Sequence, residues 1–380
     1  MKQRRGKTLF RLGLLILSLV AIVTVAACAP TSAQPKGWSG AVLTDGTLYL
    51  VSMEGKLVVV DVASHNRARA DVPLEAAPMS GGGFGCAAPA TTVAVYGTPT
   101  VSGNVVYVGG YDGKIRAIGL GSDNKSSWVF PAERNLQPIV GGLVLSQGKL
   151  YFGDSDGKLY ALDTATHQLN WEFTTGDKIW STPAIDGDTL YIGSFDKKLY
   201  AINISSGTEK WSFKTEGAII TPPLVANKTV YIGSFDRHVY AVNATDGTLK
   251  WRSALTADNW FWARPVIADN VIYAANLDGK VYALDEKSGS KLAEFDLKSP
   301  VSSSPVVVGN SVIVVSQEGK VYAINTANNE PKLLTNIEET SAPLYTSEGV
   351  VYVHTLGKET LYALNAQSGL KLWSLLLGSK

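Results

Sequence analysis

Cysteine is almost missing: the 380 residues hold two, Cys28 and Cys86. That excludes a disulfide-stapled scaffold, so stability has to come from packing. Histidine is as thin, at four. His65, His167, His238 and His354 fall at different places in the sequence pattern and lack the spacing of a metal site. They also build no Ser-His-Asp or Cys-His constellation. An excess of one charge is missing too. The formal net charge is +1, but residues 1–27 carry Lys2, Arg4, Arg5, Lys7 and Arg11 without one acid. Set those five aside and acids outnumber bases, which removes the electrostatic reason to expect nucleic-acid binding. Long stretches of helix formers are absent. Gly, Tyr and β-branched aliphatic residues abound instead, a β composition.

One uncharged apolar run is present, residues 12–27. It falls short of the roughly 20 residues of a comfortable membrane span. It ends in Val25-Ala26-Ala27-Cys28, which resembles the bacterial lipobox, with Val25 standing where Leu is commoner. The resemblance implies a diacylglycerol on the Cys28 thiol and cleavage just before it; the other reading is an uncleaved signal anchor with an incidental cysteine. On the first reading, residues 1–27 are a lipoprotein signal peptide and the Pro-containing stretch 28–37 is a flexible tether. Residues 38–380 form one domain. The expected location is the outer face of the cytoplasmic membrane, or the outer membrane where there is one.

Internal repetition decides the fold. The block at 150–163, LYFGDSDGKLYALD, returns at 190–203, 230–243 and 272–285, at 313–325 with one residue fewer, and at 351–365 with one more. Weaker copies stand at 48–61 and 106–119. The second Tyr of the block recurs at 160, 200, 240, 282, 322 and 362. Each block alternates apolar and polar positions around a Gly- or Asp-containing turn such as Asp156-Gly157, the signature of a β-hairpin needing positive φ. Pro99, Pro183, Pro223, Pro265 and Pro305 precede a short third strand. Trp171, Trp211, Trp251 and Trp373 open a fourth, and Ala293 and Leu333 take the Trp place in the sixth and seventh copies. Four strands in about 40 residues are one propeller blade, and a blade buries its faces only by stacking on others.

The pattern VYxGSxDGxLYALDxxTGxxxW resembles the repeat of pyrroloquinoline-quinone propeller proteins, in which the Trp docks between neighbouring blades. It covers nearly everything from Trp38 to Trp373. The fold expected is all-β, an eight-bladed β-propeller of four-stranded antiparallel blades. The resemblance to quinoprotein dehydrogenases implies a Ca²⁺ site, a catalytic Asp and a vicinal disulfide, but no Cys-Cys pair exists. Asp177, Glu216, Asp258 and Glu339 are single loop acids scattered over successive copies. The sequence therefore gives no cofactor, no metal and no catalytic residue. The Asp154–Gly157 segment has Ala165 where a calcium loop needs Glu, and the glycine run 81–85 lacks the Lys-Ser of a phosphate loop.

One set of residues stands apart. Three positions before the blade Pro, or its equivalent, are Trp38, Tyr96, Trp180 and Trp262, against Val140, Ile220 and Ser302. Trp260 lies beside Trp262, and Arg264 replaces a small residue. Gathered at one channel mouth, these would form a binding surface; packed between blades, they would be structural. A lipobox followed by such repeats resembles the BamB-like lipoproteins, which implies a non-catalytic scaffold for an envelope protein partner. An enzyme with its site at the channel mouth, and a lipoprotein that binds a small ligand in the channel, are the alternatives.

Overall fold

The computed structural model describes residues 36–75, 92–121 and 126–378. Cys28, Cys86 and the glycine run 81–85 lie outside these residues. Eight antiparallel sheets follow one another along the chain, each in simple up-and-down order. Blade 3 is representative: Val144–Ser146 pairs with Lys149–Gly153, then Lys158–Asp163, then Leu169–Thr174. The remaining blades span 42–73, 100–130, 184–214, 224–252, 266–296, 306–336 and 345–376, numbered 1, 2 and 4 to 8 in order. In blade 1 two short strands, Asn66–Arg67 and Val72–Pro73, both pair with Lys56–Asp61 and share the outer position.

The core lies between blades. Tyr151, Leu159 and Ala161 of blade 3 pack with Leu190, Ile192 and Ile202 of blade 4, because alternate residues of each middle strand face opposite neighbours. Outer-strand tryptophans lock these seams. Nε1 of Trp171, Trp211 and Trp251 donates to the carbonyl of Ile204, Ala244 and Glu286 in the following blade, at 2.9, 3.2 and 2.8 Å. Each indole lies on a turn glycine of that blade. A Cβ on Gly247 would sit 2.7 Å from Trp211, and one on Gly289 2.4 Å from Trp251. Both glycines also have positive φ, so two separate constraints favour glycine there.

Three expectations need correction. The seventh copy is full length: Val312 pairs with Ile324 and Val315 with Val321, so the block starts at Val312. Leu333 does not take the Trp place. The bulge falls later along that outer strand than in blades 3 to 6 and 8, which turns Leu333 outward at 48% exposure and brings Leu334 against Gly369. His65 and His167 share one repeat position. Both have positive φ at the place of the turn glycine, and each packs on the preceding blade's indole, His65 stacked on Trp373 and His167 tilted on Trp128.

The ring closes without an exchanged strand among the described residues. Leu48, Leu50 and Val58 of blade 1 pack with Tyr352, Leu361 and Ala363 of blade 8. The Tyr345 hydroxyl donates to the carbonyl of Leu43 at 3.2 Å.

Candidate binding surface at the channel mouth

The segment leading into each blade crosses one face of the ring toward the axis before the inner strand begins. One repeat position of that segment borders the channel in every blade. Trp38, Tyr96, Val140, Trp180, Ile220, Trp262, Ser302 and Ser341 all line one cavity of about 300 Å³ on the axis. The four aromatics come from blades 1, 2, 4 and 6, and serines occupy blades 7 and 8. Trp38 packs on Tyr96 with ring centroids 4.4 Å apart, and burial raises the Tyr96 phenol above its usual pKa. Trp180 donates from Nε1 to the Ser155 hydroxyl at 3.1 Å.

Trp260 and Arg264 are placed differently from Trp262. Trp260 lies off the cavity and outside it on the same face. It is 46% exposed, and its carbonyl is held by the Leu277 N–H at 3.1 Å. Arg264 occupies the repeat position whose counterparts Thr98, Gly142, Thr182, Pro222 and Ser304 line the cavity. Its N–H donates to the Ser304 hydroxyl at 3.0 Å. The side chain is exposed, yet enough protein surrounds the guanidinium to press its pKa below the ordinary value.

Sequence reasoning missed a second aromatic position. Tyr111, Phe195 and Phe235 stand in the hairpin turns, just before the recurring turn acid of blades 2, 4 and 5, and reach the same mouth. Phe235 stacks on Trp260 at 4.4 Å and 12° between planes, and lies 6.1 Å from Trp262. Phe195 bridges Phe235 at 6.1 Å and Trp180 at 4.8 Å. Tyr111 meets Tyr96 edge-on at 5.6 Å. The signal was the residue after Gly-Ser or Gly-Gly in GSFD and GGYD, hidden by reading the block as turn chemistry alone.

The neighbouring aspartates are structural. Asp196 and Asp236 accept from Tyr200 and Tyr240 at 2.6 and 2.8 Å, and from backbone N–H groups of their turns and of the incoming segments. The loop acids Asp177, Glu216, Asp258 and Glu339 are exposed, each in its own loop. The mouth thus offers rigid π-faces and apolar edges, with hydroxyls on one side, a composition suited to contact rather than to proton transfer.

Comparison with known proteins bears on this surface. A family model described as outer membrane protein assembly factor BamB matches residues 22–179 and 168–375. The outer membrane protein assembly factor BamB of Legionella pneumophila (strain Paris) is 35% identical over 77 residues. That match covers 20% of this chain and only 18% of the Legionella protein. Among solved structures, BamB from Moraxella catarrhalis is similar with a TM-score of 0.68 at 18% identity, over 83% of this chain and 92% of that one. The computationally designed Ika8 protein also reaches 0.68, at 16% identity over 91% of this chain and 98% of its own. At such identities the likeness carries the fold alone. A ring shared with a designed protein identifies no activity.

Proposed function

We propose that this chain, which belongs to the outer membrane protein assembly factor BamB family, is a non-catalytic scaffold that holds another envelope protein during outer-membrane protein assembly. The chain is tethered by lipid on Cys28, and the aromatic channel mouth is its docking surface. One observation carries this reading: Trp38, Tyr96, Trp180 and Trp262, from four separate blades, line a single mouth. Folding alone asks for nothing large there, since Ser302 and Ser341 fill the same position. Tryptophan and tyrosine give large contact areas at small entropic cost. A cavity of about 300 Å³ is at the lower limit for small-molecule sites, so a partner segment would cap the mouth rather than thread it.

The experiment is in-cell crosslinking of the lipoprotein followed by mass spectrometry of the captured proteins. Trp180→Ala with Trp262→Ala should lose the partner and keep export and the β-sheet spectrum. Undiminished capture would overturn the assignment of the surface. Cys28→Ser tests the anchor separately, by release of the body from membranes or retention of the uncleaved signal.

A further inference from the structure

The outer strand of blade 8, Lys371–Leu376, departs from its counterparts. Trp373 and Leu375 turn inward against the seam with blade 1. The opposite row is Leu370, Leu372, Ser374 and Leu376, and its three leucines are 64%, 44% and 41% exposed. Register identifies the matching rows, because Trp373, Trp211 and Trp171 pair with Ala363, Ala201 and Ala161. In blade 4 the row reads Thr208, Lys210, Ser212 and Lys214. In blade 3 it reads Gln168, Asn170, Glu172 and Thr174. Solvent-facing rows of a sheet are ordinarily polar, and a sheet edge carrying exposed leucines invites contact.

The place of this row in the chain points to its occupant. Lys36 and Gly378 line one cleft of about 420 Å³, together with Leu376 and Glu359. The N-terminal segment therefore meets the ring beside the end of the leucine row. Seven residues lie between Cys28 and Lys36, eight Cα steps that reach at most about 28 Å when fully extended. The platform is firm: Arg67 donates to the carbonyls of Leu376 and Leu377 at 3.2 and 2.9 Å and is itself paired with Asp71 at 2.8 Å. Exposed Lys36 and Lys358 flank the cleft, where anionic headgroups would attract them.

We infer that the leucine row of blade 8 rests on the lipid bilayer that holds the anchor, and so fixes the tilt of the ring. The inference depends on the lipid anchor at Cys28 and goes beyond it. A single lipid anchor holds the body at the membrane without fixing its orientation. Three leucines at the interface supply a second, weaker contact that selects one orientation. Blade 8 then lies against the membrane, while the channel mouth is held at a set angle for its partner.

The test uses the mature lipidated protein in vesicles of phosphatidylethanolamine and phosphatidylglycerol carrying a phospholipid with a photoactivatable acyl tail. After illumination, labelled peptides are mapped by mass spectrometry. The peptide containing residues 370–376 should be labelled. The triple variant Leu370→Ser, Leu372→Ser, Leu376→Ser should reduce that label about tenfold, while co-sedimentation with the vesicles persists. Leu249→Ser with Leu292→Ser, isolated exposed leucines on blades 5 and 6, should change nothing. Label confined to the N-terminal peptide would overturn the inference and leave the anchor standing. Self-association of the unlipidated body that the triple serine variant abolishes would show that a second copy covers the row, which also overturns it. Failure of the wild type to co-sediment would remove the anchor and this inference together.

Discussion

Nδ1 of His354 lies 2.8 Å from the carbonyl oxygen of Ser39, joining the last blade to the segment that enters the first. The ring nitrogen at this position donates, because a carbonyl can only accept. Beside it, the Glu359 carboxylate accepts the backbone N–H of Met53 across the same seam. Glu359 has positive φ and is buried. It belongs to the hairpin that is one residue longer than its counterparts, so the extra residue equips the closing seam. Glu359→Ala leaves the Met53 N–H without its acceptor and should cost about 1–3 kcal/mol. Urea unfolding reads this directly. An unchanged midpoint would mean that the Glu359 contact adds nothing to the closing seam.

The docked tryptophans should be worth more than the latch. Trp251 is 7% exposed and bonded to the next blade. Trp251→Ala should cost about 3–5 kcal/mol. Trp171, which is only half-buried, should cost less. Melting of the two variants side by side gives the order, and equal losses would break the link between burial and seam strength.

The architecture was legible in the sequence because each blade repeats the same demands: alternation for the hairpin, an acid in the turn, an indole for the seam. Where the repeat degenerates, spacing stopped informing. Leu333 and Leu334 are equally apolar, and only the position of a bulge decides which of them meets Gly369. His65 and His167 escaped notice as a pair because histidine replaces glycine there, and the shared requirement is a left-handed backbone rather than a side-chain type. At the channel mouth, the ring of Trp38, Tyr96, Trp180 and Trp262 followed from one repeat position. Phe195 and Phe235 belong to another, and nothing in linear spacing says that two positions of the repeat meet in space.

The turn pairs make the fold sensitive to alkali. Tyr160, Tyr200, Tyr240 and Tyr282 donate to Asp154, Asp196, Asp236 and Asp278. Burial first, and the aspartate second, raise these phenols well above their ordinary value of 10.0. A group whose pKa is raised by folding stabilises fully below its unfolded value, and that contribution is lost as pH climbs past it. Stability should therefore hold up to about pH 10 with respect to these groups and fall above it. Phenolate absorbance should show a late, cooperative rise that coincides with loss of the β-sheet spectrum. Gradual ionisation of every tyrosine before unfolding would refute the coupling. Tyr200→Phe should weaken the alkaline fall by removing one such group.

The stacked pair Phe235 and Trp260 gives the most direct reading of the mouth. Their rings lie 4.4 Å apart and nearly parallel, although Trp260 is 46% exposed. Water would ordinarily leave such an indole to sample several rotamers, so the stack holds it in one orientation on the face of the ring. A double-mutant cycle with Phe235→Ala and Trp260→Ala should give a coupling of about 0.5–1.5 kcal/mol in stability, the usual range for an aromatic pair. Against the protein captured by crosslinking, Trp260→Ala should lower affinity by about 2 kcal/mol or more, roughly thirtyfold, if this indole is an anchor. Phe235→Ala should lose a similar share by releasing Trp260, so the double variant should lose less than the two combined. Additive losses would show two independent contacts. Wild-type affinity in the Trp260 variant would confine docking to the cavity ring and remove the outer pair from the surface.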